Sequence, residues 1–181
     1  MKKALIVIDM QNDFITGALG SPQAREVVPK IADKIRKHLH GGGDVFFTRD
    51  THGENYLETA EGRHLPVPHC LKDSEGWQIS AALTDALGDA PVHIFDKTTF
   101  GSLDLARFLS GEGYGEIELA GLVASICVVS NALILKAHLP ETAITVDAAC
   151  TAGVGDEDYL ASLCVMRMCH IGVISGDETH D

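Results

Sequence analysis

The chain has 181 residues, 45% hydrophobic and 22% charged, a composition typical of one globular domain (residues 1–181) and not of a disordered chain. Its formal net charge of −12 argues against nucleic acid and membranes as partners, because nucleic acid and anionic membrane surfaces both attract a basic face. The odd number of cysteines, five, with no secretory segment, predicts reduced thiols and a cytoplasmic location.

Predicted strands and helices alternate along the chain. Continuous apolar, β-rich runs are typical of strands buried on both faces, and apolar residues spaced four apart predict helices. The predicted strands are residues 4–8, 45–48, 91–95, 117–120, 143–146 and 172–174, and predicted helices include 77–87, 103–109 and 128–138. This order predicts an α/β fold of three layers, α/β/α, with a mostly parallel sheet.

Two further helices have identifiable first residues. Ser21 and Pro22 suit an N-cap and the first helical position, so the first long helix is predicted to begin there. Asp156 is predicted to cap the last helix. The residues expected on one face of that last helix are Leu160, Leu163, Cys164 and Met168.

Two segments need separate interpretation. Residues 119–135 form the longest apolar run, but it is shorter than the ~20 residues of a membrane helix, so it predicts a buried strand followed by a buried helix. Residues 50–76 form a polar loop that is long for a connection within one domain, and loops of this kind are often functional.

Reactive side chains follow four of the predicted strands. Asp9 follows the first strand, Asp50 and His52 follow the second, and Lys97 follows the third. The fourth strand leads through a short turn to Cys127, at the start of a helix. Because ligands bind beyond the carboxyl ends of parallel strands, we expect these side chains to share one site.

Cys127 is the candidate nucleophile of this site. A thiolate is the reactive form of cysteine, and both a helix N-terminus and a nearby Lys97 favour the anion. Asp9 is suited to take the thiol proton and return it to a leaving amine, while backbone N–H groups before Cys127 are suited to hold an oxyanion. These parts predict attack on a carbonyl carbon and an acyl-enzyme intermediate.

Three sequence motifs resemble those of the isochorismatase-like cysteine hydrolases, which include nicotinamidases. They are LIVIDMQNDF (residues 5–14), FDKTTFGS (95–102) and GLVASICVVSNALILKA (121–137). The resemblance implies the isochorismatase-like hydrolase fold and an Asp–Lys–Cys triad of Asp9, Lys97 and Cys127. It also implies a cis peptide bond between Leu122 and Val123, with the N–H groups of Val123 and Cys127 as oxyanion donors. Nicotinamidases usually have Thr-Asp where this chain has Ala-Ser at positions 124 and 125.

The same resemblance implies a divalent metal, with zinc, manganese and iron as candidates, and no organic cofactor. The segments RDTH (49–52) and VPHC (67–70) resemble the two ends of the nicotinamidase metal site. The residues that match directly are Asp50, His52 and His69. The usual third histidine is absent, and Glu61 is the best-placed substitute, with Glu58 and His64 as alternatives.

The sequence therefore predicts a cysteine hydrolase that cleaves the C–N amide bond of a small molecule, with Phe14 stacking on a flat substrate. Nicotinamide is the first candidate substrate, and ureido or carbamoyl compounds are the next. Two alternatives remain: an isochorismatase-type vinyl ether hydrolase, which uses no nucleophilic cysteine, and a member without catalytic activity. The resemblance also leads us to expect a homo-oligomer.

Overall fold

A six-stranded parallel sheet runs through the protein. The structure is a computed structural model, and it describes residues 1–175. The strands are β1 (Lys2–Ile8), β2 (Asp44–Asp50), β3 (His93–Lys97), β4 (Tyr114–Leu122), β5 (Ala143–Ala152) and β6 (Gly172–Ile174). Their order across the sheet is β3-β2-β1-β4-β5-β6, and each neighbouring pair is parallel. The predicted α/β class is confirmed, and the sheet is entirely parallel within the described residues.

Helices cover both faces of this sheet. They are α1 (Asn12–Ile15), α2 (Pro22–His40), α3 (Ala60–His64), α4 (Ala81–Leu87), α5 (Leu103–Glu112), α6 (Val129–His138) and α7 (Asp156–Met168). A 3₁₀ turn (Tyr56–Glu58) lies in the long polar loop, and a π-helical turn (Ala124–Val128) joins β4 to α6. The predicted start of α2 is confirmed, since the Ser21 hydroxyl accepts a hydrogen bond from the N–H of Ala24.

The central strand β1 divides the core into two clusters. Its side chains alternate between the faces of the sheet, as the geometry of a strand requires. Leu5 and Val7 pack with residues of α2 and α4, whereas Ile6 and Ile8 pack with residues of α5, α6 and α7. All four side chains are fully buried, which explains why β1 is apolar throughout its second half.

The predicted helix over residues 77–87 is wrong at its start, because α4 begins only at Ala81. Tertiary contacts hold the preceding residues in an irregular segment. Ile79 forms an antiparallel bridge with Gln11, and the indole N–H of Trp77 donates to the hydroxyl of Thr51. These contacts with distant segments override the local helical pattern.

The predicted cap of the last helix is also wrong. Gly155 is the N-cap of α7, and Asp156 is its first helical residue. The carboxylate of Asp158 accepts a hydrogen bond from the N–H of Gly155, so an acid in the first turn satisfies the cap.

The predicted apolar face of α7 agrees with the structure only at Leu163. Leu160 and Met168 are 63% and 77% exposed, and Cys164 is exposed as well. These three residues are spaced four apart and form one stripe, but α7 turns a different stripe, which includes Met166, toward the sheet. Spacing defines a stripe on a helix, and tertiary packing selects the stripe that is buried.

The strand order places a crevice beside β1. From β1 the chain adds β2 and then β3 on one side of the sheet. It then returns and adds β4, β5 and β6 on the other side of β1, so the strand order reverses between β1 and β4. Ligands of open parallel sheets bind at such a point, beyond the carboxyl ends of the strands. Among residues 1–175, no helix has both the length and the apolar character needed to cross a membrane.

Candidate functional site

Four side chains predicted from the strand ends meet beside this crevice. Asp9 follows β1, while Asp50 and Lys97 are the last residues of β2 and β3 and lie opposite each other in the β2–β3 register. Cys127 lies in the π-helical turn after β4. Each of the four is at most 5% exposed, so the structure brings two carboxylates, an ammonium and a thiol together in a buried cluster.

Lys97 lies at the centre of this cluster. Its Nζ atom is 2.6 Å from Oδ2 of Asp9, 3.5 Å from Oδ1 of Asp50 and 3.7 Å from Sγ of Cys127. Burial opposes the positive charge, but the charges of Asp9, Cys127 and Asp50 outweigh that effect and raise the pKa of Lys97. The lysine therefore stays protonated and contacts both the acid and the thiol.

The pKa of the Cys127 thiol is raised in this arrangement, in contrast to the expectation from the helix terminus and Lys97. Burial is the main cause of a pKa raised well above the usual range, and the negative charge of Asp9 raises it further. Lys97 acts in the opposite direction and is outweighed. Burial also raises the pKa of the Asp9 carboxyl, against the lowering effect of Lys97. A buried carboxyl with a raised pKa is a stronger base than an ordinary aspartate.

Thr48 holds the Asp9 carboxylate and is a site residue that the sequence patterns did not predict. Its hydroxyl donates to Oδ1 of Asp9 over 2.6 Å and accepts a hydrogen bond from the N–H of Asp9. The backbone of Asp9 has a φ of 46°, a conformation that few non-glycine residues adopt and that turns its carboxyl toward Lys97. A threonine directly after the apolar residues 45–47 of β2 was the available signal.

The turn that carries Cys127 contains the cis peptide bond implied by the resemblance. The Leu122–Val123 peptide bond is cis, and the carbonyl of Val123 accepts hydrogen bonds from the N–H groups of Ile126 and Val128. Val123 and Cys127 both line the adjacent cavity.

Ser125, one of the two residues that depart from the family pattern, has its own partner. Its hydroxyl donates to Oδ2 of Asp158 over 2.6 Å and so joins the nucleophile turn to the first turn of α7. The same carboxylate accepts from the N–H of Val154. At this position the departing residue therefore links the nucleophile turn to α7.

Four residues of β2 and the long polar loop could hold a metal ion. Asp50, His52, Glu61 and His69 each offer one ligand atom, and these atoms all lie within 4.8 Å of one another. A tetrahedral ion bound at ~2.0–2.1 Å needs ligand atoms about 3.4 Å apart. The Nε2 atom of His69 is 3.5 Å from Asp50 and 3.7 Å from Glu61, and Nε2 of His52 is 3.6 Å from Glu61. The set of two nitrogens and two oxygens fits a borderline divalent metal.

A backbone carbonyl orients the ring of His69 toward this cluster. Its Nδ1 atom lies 2.8 Å from the carbonyl of Val67, and because a carbonyl only accepts, Nδ1 carries the proton. Nε2 is therefore the ring nitrogen that faces Asp50 and Glu61. Hydrogen bonds from His52 and His69, together with the charge of Lys97, outweigh burial and lower the pKa of Asp50.

Among the three candidates for the remaining ligand, the structure brings only Glu61 into the cluster. Glu58 is exposed, and His64 is exposed with its Nδ1 atom bonded to the carbonyl of Ala60. Glu61 lies in the first turn of α3, and the Thr59 hydroxyl caps this helix by accepting a hydrogen bond from the N–H of Gly62.

Gln11 holds the backbone of Asp50 in the metal-ligand cluster, and it was not predicted as a site residue. It is fully buried, its Oε1 atom accepts from the N–H of Asp50, and its Nε2 atom donates to the carbonyls of Asp50 and Trp77. Gln11 thus fixes the backbone of a ligand residue. A glutamine directly after a buried strand was the signal in the sequence.

A cavity of about 800 Å³ opens above Cys127 and the metal-ligand cluster. Phe14 forms part of its wall, with its ring 5.5 Å from the ring of His69. The acyl-enzyme chemistry predicted from the sequence requires such a space beside the thiol.

Comparisons with known proteins agree with this geometry. The Isochorismatase domain profile matches residues 3–178. An uncharacterized isochorismatase family protein PncA of Bacillus subtilis is 31% identical over 144 residues, which cover 74% of this chain and 78% of the relative.

Two solved structures are similar over nearly the whole chain. The nicotinamidase/pyrazinamidase PncA of B. subtilis has a TM-score of 0.84 and 28% identity, covering 97% of this chain and 100% of its own. A pyrazinamidase of Pyrococcus horikoshii, solved in complex with zinc, has a TM-score of 0.82 and 28% identity, covering 97% of this chain and 99% of its own. On the match to the domain profile and to these relatives, the chain belongs to the isochorismatase family.

Proposed function

We propose that this protein hydrolyses the C–N bond of a small carboxamide through a thioester on Cys127. The observation that carries the proposal is the position of the Lys97 ammonium, 2.6 Å from Asp9 and 3.7 Å from the sulfur of Cys127. The thiol also lines a cavity large enough for a substrate. Similar proteins are named nicotinamidase and pyrazinamidase, which are names of amide hydrolases. Their names support the same reaction class for this protein.

The first half of the reaction forms the thioester. Asp9 takes the proton of the Cys127 thiol, and Lys97 stabilises the thiolate by its positive charge. The sulfur attacks the amide carbon, and the N–H groups of Val123 and Cys127 bind the oxyanion that forms. Asp9 then returns the proton to the nitrogen, the C–N bond breaks, and ammonia leaves.

The second half releases the acid. Asp9 takes a proton from water, the hydroxide attacks the thioester carbon, and the C–S bond breaks. The proton returns to the sulfur of Cys127, so the enzyme is regenerated. The burial that raises the pKa of Asp9 suits it to both proton transfers.

Asp50, His52, Glu61 and His69 would hold a divalent metal, with zinc as the first candidate and manganese and iron as alternatives. A bound ion supplies a Lewis acid to which a ring nitrogen of a heteroaromatic amide can bind. Phe14 would stack on the same ring from the cavity wall. Nicotinamide meets both requirements, so it is the first substrate to test, followed by carbamoyl and ureido compounds.

Ammonia release from nicotinamide and a panel of small amides tests the reaction. We expect Cys127→Ala to abolish release, whereas Cys164→Ala, which removes an exposed thiol outside the cavity, should retain it. Hydroxylamine attacks a thioester and releases the thiol, so formation of the hydroxamate of the acyl group in its presence would report the thioester intermediate. Equal activity of Cys127→Ala and the wild type would exclude the thiol mechanism, and activity on isochorismate alone would favour the vinyl ether hydrolase.

Metal content tests the ligand cluster independently of activity. We expect Glu61→Ala to lower the zinc content after dialysis, while Glu58→Ala, an exposed residue three positions away, should leave it unchanged. Equal zinc content in both variants would remove Glu61 from the ligand set.

A further inference from the structure

We infer that the substrate is an amide whose acyl part carries an extended apolar group, held at the cavity mouth by Leu65, Phe100 and Val154. This inference rests on the hydrolysis proposed above and specifies its substrate class. It depends on three observations: the size of the cavity, the polarity of its two ends and the way in which its mouth is held.

The cavity is larger than a single-ring amide requires. Its volume of about 800 Å³ lies within the range of ~300–1,000 Å³ found for sites of drug-sized ligands. A ring placed between Phe14 and the metal-ligand cluster would occupy only the inner part. The remaining space is therefore available for a substituent that points away from Cys127.

The two ends of the cavity differ in chemistry. The inner end holds the groups that can bind or react with a carboxamide, namely Cys127, Glu61 and His69, of which His69 and Cys127 are buried. Leu65, Phe100 and Val154 also line the cavity and are 38%, 41% and 75% exposed, so they lie at its mouth.

Within the described residues no lysine or arginine lines this cavity, and the exposed polar side chains among its lining residues are those of His64 and Thr99. Contact with an apolar substituent would remove exposed hydrocarbon from water, which is favourable by about 25 cal/mol per Å².

The backbone at each mouth residue is held by a side chain from elsewhere in the chain. The hydroxyl of Tyr56 donates to the carbonyl of Leu65 over 2.8 Å. The amide of Asn131 donates to the carbonyl of Phe100 over 3.1 Å.

Val154 is held in a comparable way, because its N–H donates to the carboxylate of Asp158 over 3.1 Å. Tyr56 and Asn131 are both buried. The backbone at these three exposed apolar residues, on three separate segments, is thus held before a ligand binds, which lowers the entropy cost of ordering the mouth.

A series of nicotinamides with unbranched alkyl groups on the ring tests the inference. We expect kcat/KM to rise about fourfold for each added methylene until the chain passes the mouth. Replacing the terminal methyl by a carboxylate should cancel the gain. A kcat/KM that stays constant or falls with chain length would overturn the inference.

Substitutions at the mouth test the assigned residues. Phe100→Ala and Val154→Ser should each lower the ratio of kcat/KM for the longest alkyl amide over nicotinamide by about tenfold. Leu57→Ala removes a leucine that is 53% exposed but lies outside the cavity, and it should leave the ratio unchanged. An equal ratio in all three variants would contradict the assignment.

Binding measurements separate this inference from the proposed reaction. Calorimetry of the same alkyl series with Cys127→Ser reports affinity without turnover. If no amide is hydrolysed but affinity rises with chain length, the proposed function fails and the apolar mouth remains supported. If amides are hydrolysed but neither affinity nor kcat/KM depends on chain length, the inference fails alone.

Discussion

Replacing Lys97 by methionine is expected to leave the Asp9 carboxylate buried without its cation. The two side chains are 2% and 0% exposed, and Nζ lies 2.6 Å from Oδ2. At an effective dielectric constant of about 20, two unit charges at this separation attract each other by about 6 kcal/mol. Part of this energy offsets their lost hydration, so we expect Lys97→Met to lower the free energy of unfolding by about 3–5 kcal/mol at pH 8.

The size of this loss should depend on pH. Because Lys97 lowers the pKa of Asp9, that pKa is higher in Lys97→Met than in the wild type. At low pH Asp9 is protonated in both proteins, and the loss is smallest. As the pH rises between the two pKa values, only the wild type releases the proton readily, and the loss grows by up to about 1.4 kcal/mol per pH unit.

Urea unfolding at pH 5, 6.5 and 8, followed by the fluorescence of the single tryptophan, Trp77, measures these differences. A chelator in every sample removes any stabilisation by bound metal. The double variant Asp9→Asn/Lys97→Met carries neither charge, so it should be more stable than Lys97→Met at pH 8. The reasoning fails if Lys97→Met loses the same free energy at all three pH values, or if the double variant shows no recovery.

Three further changes probe the site and the core. Thr48→Val should lower kcat/KM for the substrate by about tenfold and move the acid limb of its pH profile upward, because the Thr48 hydroxyl lowers the pKa of Asp9. Ile31→Ala should lower the free energy of unfolding by about 2–5 kcal/mol in urea, since this α2 side chain is fully buried. Gly121→Ala should cost about 3 kcal/mol or more, because the glycine has a φ of 122° and a Cβ atom there would lie 2.1 Å from the carbonyl oxygen of Ile8.

Matched control variants distinguish these specific effects from a general loss of stability or activity. Thr48→Ser keeps a hydroxyl and should restore most of the activity and the original pH profile. Gly42→Ala places a side chain at a φ of 77° with no atom within 4 Å, so it should cost only about 1 kcal/mol. Equal losses in Gly42→Ala and Gly121→Ala would show that the close approach of Ile8 is unimportant.

The amino-acid sequence alone located most of the strand-end cluster. Asp9, Asp50 and Lys97 each follow an apolar run recognisable as a strand, and parallel strands bring their carboxyl ends to one edge. Cys127 was located in the same way, through the turn after β4. Such residues are predictable because local patterns locate the strands, and in α/β proteins the carboxyl ends of parallel strands lie at one edge of the sheet.

Other features depend on contacts between distant segments, which no local pattern encodes. The choice of Glu61 over Glu58 follows from the position of α3, which brings Glu61 near Asp50, His52 and His69. The late start of α4 follows from the bridge between Ile79 and Gln11. The buried stripe of α7 and the contact of the Thr48 hydroxyl with Asp9 also depend on contacts between distant segments. The sequence by itself determined the alternating fold and the reactive strand ends, since both arise from periodicity and chain direction. Only the tertiary structure decided which polar side chains reach those ends, because burial and hydrogen bonding there depend on residues far apart in the chain.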